Sequence, residues 1–475
     1  MASRSGAISL LAALVLVGCA GHEARVGSAL DALDSGRTEA AIAALDRELG
    51  GPSSELSPKL EGDAALLVLD RATLLQADQR FEDSQRDFGV ADKAIEVLDL
   101  SRGAASELGR YLFSDAAGPY RAPPFEKLLL NSFNMANYLA RGDLSGARVE
   151  ARRLAVTQGF LATSAEPTAL LGFGSWLAGF AFERSGREAE AIRHYDDALR
   201  VRRYETLVEP LRTLVTRNPS TPAIDALLGP RVTVAPPSLE AGAAVSEPGP
   251  PSVESRPSSI EARASTDGEG ELVIVVGYGR VPPKVPVRLP IGLAVSLVAN
   301  DLSPFDRERA ARIAAKGLVT WVNFPRLAEA PVLAEEPRVL LDGRAVRLEL
   351  AVDVEREVRR EWQRHEGTVI LAAVTRTLAR FAASSAIEAG TNAASKSRGG
   401  ALGLFAGLLA SAALTAADTP DTRSWATLPA RVSLARVRVP AGKHTVVIRA
   451  RGQERSHVVA MTPGGWSFVT THALR

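Results

Sequence analysis

The chain runs to 475 residues, with 56 Lys+Arg against 55 Asp+Glu, a formal net charge of +1 and 46% hydrophobic residues. That length allows two or three domains with real cores, and the near-neutral balance argues against nucleic acid as a partner. A single cysteine rules out an internal disulfide framework and any cysteine-based zinc or iron–sulfur site.

Residues 1–18, MASRSGAISLLAALVLVG, open with Arg4, continue with an apolar stretch from Ile8 to Val17 and end on the small Gly18. This is the anatomy of a secretory signal peptide, too short to remain as a membrane-spanning helix. The next step, Leu16-Val17-Gly18-Cys19, resembles the bacterial lipobox. The resemblance implies that Cys19 receives a diacylglycerol thioether and becomes the mature N-terminus, with Gly18 small enough for the peptidase to reach the bond. The alternative is a plain signal peptide with an incidental cysteine. Neither Ala20 nor Gly21 is an Asp, which by resemblance to Gram-negative lipoproteins implies an outer-membrane anchor facing the periplasm.

From residue 19 to 228 the chain reads as helical, and one phrase recurs: a helix, a short polar turn, then a helix opening on small and acidic residues. The turns are Ser35-Gly36-Arg37, Asp78-Gln79-Arg80, Arg141-Gly142-Asp143 and Ser185-Gly186-Arg187. Gly36, Gly142 and Gly186 stand where a helix C-terminus needs a residue tolerant of positive φ. The phrase resembles the tetratricopeptide repeat, whose helix pairs stack into a superhelix with a concave face. Spacings of 43, 63 and 44 residues between turns make any such repeat degenerate, and an ordinary helical bundle is the alternative.

Residues 229–270 are rich in Pro, Ser, Gly and Glu and read as a disordered linker that cannot bury enough surface to order itself. Residues 271–475 then bring strand signals: Leu272–Val276, an Asp342-Gly343 hairpin turn, the alternation Val432–Val439, Thr445–Ile448 and Trp466–Val469. Helical stretches lie between them at Arg307–Gly317 and over about 356–417. This predicts an α+β domain with a long helical insertion. Within the insertion, Ala401–Ala417 has no charge, and Gly399, Gly403, Gly407, Ser411 and Thr415 fall at every fourth position. We read it as a helix buried against Val369–Ile387, with self-association and membrane insertion as the other readings.

No catalytic set emerges. Gly277-Tyr278-Gly279-Arg280 follows a strand, but Pro282-Pro283 forbids the helix that would hold a pyrophosphate. The six histidines show no metal-ligand spacing, and no cofactor or metal is expected. On the helix before the Gly142 turn, Lys127, Asn131, Asn134 and Tyr138 recur at i, i+4, i+7 and i+11 and so share a face. A Lys and two carboxamides there could grip a partner's backbone or carboxylate; an ordinary solvated face is the alternative.

The lipobox at Cys19, Asn137–Asp143 leading into Ala147–Arg153, and Asp421–Pro429 together resemble a family of Gram-negative outer-membrane lipoproteins with a tetratricopeptide-like N-terminal half. The resemblance carries over no catalytic residue. It implies a scaffold that binds a protein partner in the periplasm or envelope, held to the membrane by its lipid. The alternatives are an accessory of peptidoglycan synthesis or surface-polymer export, and a hydrolase with a site in the C-terminal half.

Overall fold

The computed structural model describes residues 22–57, 59–60, 63–100, 120, 122–162, 169–229, 268–315, 321–329, 335–394 and 420–475. The signal peptide with Cys19, residues 230–267 of the Pro-rich stretch and the 401–417 segment lie outside them.

Among the described residues, four helix hairpins build the N-terminal half. They pair α1 (His22–Asp34) with α2 (Thr38–Leu49), α3 (Ala64–Ala77) with α4 (Phe81–Leu100), α5 (Pro124–Ala140) with α6 (Leu144–Ala162), and α7 (Ala169–Arg184) with α8 (Glu188–Val201). Two short helices, α9 (Val208–Leu214) and α10 (Pro222–Leu228), close the half. Every hairpin turns on a left-handed residue: Gly36 at φ 76°, Gln79 at 63°, Gly142 at 74° and Gly186 at 72°. In each, the following N–H reaches back to the helix just ended, Arg37 to the Ala32 carbonyl, Arg80 to Leu75, Asp143 to Tyr138 and Arg187 to Phe182. That closure satisfies carbonyls a helix C-terminus otherwise leaves open. Fully buried Arg71 ties the first two hairpins together, with Nε and Nη2 on Asp87 at 2.6 and 3.0 Å and Nη1 on Asp46 at 2.9 Å.

The C-terminal half is α+β, as its patterning predicts. Strands β1 (Glu269–Arg280), β6 (Glu349–Asp353), β7 (Pro429–Pro440) and β10 (Trp466–Ala473) form one sheet in the order β10-β1-β7-β6. β10 runs parallel to β1; the other pairs are antiparallel. A second sheet, β5-β4-β8-β9, uses β4 (Arg338–Leu341), β5 (Arg344–Val346), β8 (Gly442–Ala450) and β9 (Gln453–Met461). Its β4–β5 hairpin turns on Asp342 and Gly343, both at positive φ (49° and 78°), the pair of left-handed residues that a tight hairpin requires. The ribbon of β2 (Lys284–Pro290) and β3 (Trp321–Leu327) packs with α11 (Ile291–Leu297), α12 (Pro304–Ala315) and the long α13 (Val354–Ala394) around a separate small core. β1 starts at Glu269, so the first strand begins inside the stretch read as linker. No described helix is long and apolar enough to cross a membrane.

Side chains alternate across a strand, and β1 uses both faces. Leu272, Ile274 and Val276 pack on the second sheet, with Val446, Ile448 and Met461. Val273 and Val275 join Leu66, Phe88, Phe133, Trp176, Trp425, Leu434 and Phe468 in the largest core of the molecule. The first sheet is therefore a middle layer between helices and the second sheet. The stretch at 229–270 divides the sequence but not the packing: the helical half and the α+β half share one interior. α3 and α5 lie on β10, and α7 lies on β6. The first helices of the later hairpins thus lean on the chain's own sheet.

Candidate functional site

The seam between the halves is built from polar groups as well as apolar ones. The segment Asp421–Pro429 clasps the helices from the sheet side. Arg423 holds Asp421 (2.8 Å) and, across the seam, Asp63 (2.6 Å). Trp425 Nε1 donates to Thr73 Oγ1 at 3.0 Å while its ring meets Phe88 and Phe133 edge-on. Thr427 donates its N–H and hydroxyl to Asp70 Oδ1 at 2.8 and 2.9 Å. Burial drives the Asp70 carboxyl up to about 7 despite these bonds. His22, at the start of α1, is buried against Asp70 and pushed down to about 4 by that burial. Deeper in, His472 on β10 meets Gln76, whose Nε2 donates to Asn137 Oδ1 (2.7 Å) and the Phe133 carbonyl (2.8 Å). Full burial holds His472 neutral, near 3.

At the far end of the seam stands Arg436 of β7. Its side chain is 2% exposed and fully engaged: Nε and Nη2 reach Glu271 of β1 at 2.7 and 2.9 Å. Nη2 also reaches Glu183 of α7 at 2.7 Å, and Nη1 donates to the Tyr195 hydroxyl at 2.9 Å. The guanidinium lies 5.1 Å from the centre of the Phe180 ring. Tyr195 in turn donates to Glu183 Oε2 at 2.6 Å. Burial pushes Glu183 up, but the charge and hydrogen bond of Arg436, with help from Arg184 and Tyr195, outweigh it and hold the carboxyl near 2.

Arg436 lines a groove of about 330 Å³. The ends of α7 and α9 and the turn at Glu205–Thr206 make one wall; Glu271 and Arg436–Arg438 make the other. Its carboxylates are paired: Glu183 and Glu271 as above, Glu188 with Arg217 (2.9 Å), Glu205 with Arg203 (2.5 Å) and Glu209 with Arg212 (2.9 Å). Exposed Arg438 has no carboxylate partner among the described residues. Such a lining offers recognition by charge and hydrogen bonding. Its groups are neutralised by neighbours rather than poised as nucleophile and base.

A second cavity, about 40 Å³, lies between Phe125, Trp362, Trp425 and Leu428. Buried Glu126 borders it, driven up to about 7 by burial, and accepts a 2.6 Å hydrogen bond from Tyr120. Its volume suits about one water molecule, not a substrate. Among the described residues no three His, Cys, Asp or Glu side chains converge to hold a metal.

The four residues expected to form a partner-binding face are not together on an open surface. Asn131 and Asn134 are buried between helices, with Asn131 Nδ2 at 3.2 Å from Glu150 on α6 and 3.4 Å from Asp92 on α4. Burial pushes Glu150 up to about 7, and both asparagine side chains hydrogen-bond to it. Half-buried Tyr138 lies over Gly146 so closely that a Cβ added there would sit 2.0 Å from its ring. Lys127 is half-buried on the same helix. The correction has a simple cause. α5 is packed by α4, α6 and α7 and leans on β10, so the Asn131–Asn134 part of its polar stripe faces other helices. Cys19 lies outside the described residues. The groove at Arg436 escaped sequence reading because its walls come from residues 183–217, 271 and 436–438.

No family model, curated protein or solved structure matches the chain.

Proposed function

We propose that the protein is an outer-membrane lipoprotein, anchored through Cys19 and facing the periplasm, that binds a protein partner through the groove at the seam. The observation that carries the binding role is the groove itself: about 330 Å³, lined by ion-paired carboxylates and arginines, and shared by both halves. The lipobox motif supports the anchor. His22, three residues after Cys19, is already buried, so a lipid there would hold the folded body close to the bilayer. The four hairpins support a tetratricopeptide-like reading of the helical half, in degenerate form. The face that such stacks usually offer to partners is here taken up in part by the chain's own sheet, which favours the seam groove as the docking place.

Two measurements test this. Cys19→Ser should abolish labelling by a fatty-acid analogue and release the protein from the membrane fraction; continued fractionation with the outer membrane contradicts the anchor. A photoreactive amino acid at exposed Thr213, on the groove rim, should give a discrete crosslinked product in intact cells. Crosslinks only from a distant exposed position such as Val458 contradict the groove.

A further inference from the structure

We infer that the outer edge of β7, from Ala435 to Val439, is a strand-addition site for an extended, acidic peptide segment of the partner, a claim that rests on the groove being the partner site. β1 pairs with β7 along its whole length, from Arg280↔Pro429 to Glu269↔Pro440. On the other edge β6 pairs only over Arg431–Leu434. Before Glu349 the chain leaves for the second sheet, where β5 pairs with β4. The next five residues of β7 therefore have no strand beside them on that edge among the described residues. An unpaired edge is a template for another extended chain.

Solvent exposure rises in the middle of this stretch. Leu434 and Ala435 are buried, Arg436 and Val437 are partly exposed, Arg438 is exposed and Val439 is buried again, so the open part of the edge is Arg436–Arg438. Arg436 is informative, because its side chain is only 2% exposed while the residue as a whole is not buried. What it shows to solvent is main chain. The groove runs alongside this edge, lined there by Arg436, Val437 and Arg438. Glu205 and Thr206, on its lining, donate their N–H groups to Glu349 at the start of β6, at 2.8 and 3.1 Å. A strand laid there would continue the line of β6.

Charge selects the occupant. Strand periodicity puts Arg438 on the same side as Arg436, toward the helices. The groove carboxylates each have an arginine, and Arg438, whose register neighbour Glu271 is taken by Arg436, has no ion pair of its own among the described residues. An incoming strand with glutamate or aspartate on its helix-facing side completes that pairing, while its backbone completes the ladder.

The test uses the full chain and two blocked heptapeptides, one alternating glutamate with valine and one alternating lysine with valine. The acidic peptide should bind and slow amide exchange within Ala435–Val439, and the basic one should not. Arg438→Glu, a surface change, should keep the melting temperature, weaken the acidic peptide at least about tenfold and admit the basic one. N-methylation on alternate residues separates strand addition from plain charge attraction. Methylating one of the two alternating sets should abolish binding, while methylating the other should leave it intact. Equal tolerance of both sets overturns the proposal. So does slow exchange at this edge in the chain alone, which would mean that its own segment or a second copy already fills it. Thr213 crosslinks that persist unchanged in Arg438→Glu would remove strand addition and leave the groove as partner site; loss of those crosslinks from the wild type removes the groove itself.

Discussion

Arg436 shows how the charges at the seam must be read together. Burying an arginine is costly, and Glu183 and Glu271 offset that cost only as a set with Tyr195. Arg436→Ala leaves Glu183 and Glu271 to share Arg184 alone (2.6 and 3.4 Å) in a poorly solvated place, so we expect a loss of roughly 2–4 kcal/mol, somewhat below that of a wholly unpaired buried charge. Denaturant unfolding measures it, and a loss under about 1 kcal/mol would contradict the network's role. Asp70 makes the opposite case, a buried carboxyl without a cation of its own. Its pKa is about 7 in the folded chain and near 4 when unfolded. Between those values the native state keeps a proton that the unfolded state has released. The stability it contributes is therefore full below about pH 4 and is lost as pH rises through about 7. Asp70→Asn keeps an acceptor for Thr427 and removes the ionisation. Relative to wild type the variant should gain stability as pH rises across that window, by on the order of 4 kcal/mol at most. A difference that is flat with pH would show that Asp70 does not titrate there.

At the scale of elements, what was legible in the sequence was local. Three of the four helix turns, at Gly36, Gly142 and Gly186, and the Asp342-Gly343 hairpin are set by residues that tolerate positive φ, and their signals lie within a few positions of the geometry they cause; the turn at Gln79 had no such signal. The strands of the C-terminal half show their alternation for the same reason. The polar stripe on α5 misled because a helix face is assigned to solvent only if one side of the helix is free. With neighbours all round it, Asn131 and Asn134 become interhelical hydrogen-bonding groups. The Tyr138–Gly146 contact makes the same point about close packing. Gly146→Ala would drive a methyl group into the Tyr138 ring and prise α5 from α6, costing roughly 1–3 kcal/mol by overpacking. Tyr138→Ala in the same background should recover part of the loss in thermal melts; no recovery would place the strain elsewhere.

The whole molecule depends on contacts that no local pattern announces. Trp425 meets Thr73 across 352 residues of sequence, and Thr427 meets Asp70 across 357. The phrase Asp421–Pro429 is conspicuous in the sequence, yet its role as the clasp on α3 appears only when both halves are in place. Composition marks 229–270 as a boundary, and composition reports only what those residues can bury for themselves. It is silent on whether the segments either side bury each other. They do, through Phe133, Trp176, Trp425, Leu434 and Phe468. The folding unit is therefore the pair of halves. Cutting once within residues 230–267, at an inserted protease site, and passing the product over a sizing column tests this most directly. The account predicts that the two fragments elute together at the mass of the whole chain and melt in one cooperative transition. Fragments that separate under native conditions, each with its own transition, would contradict it.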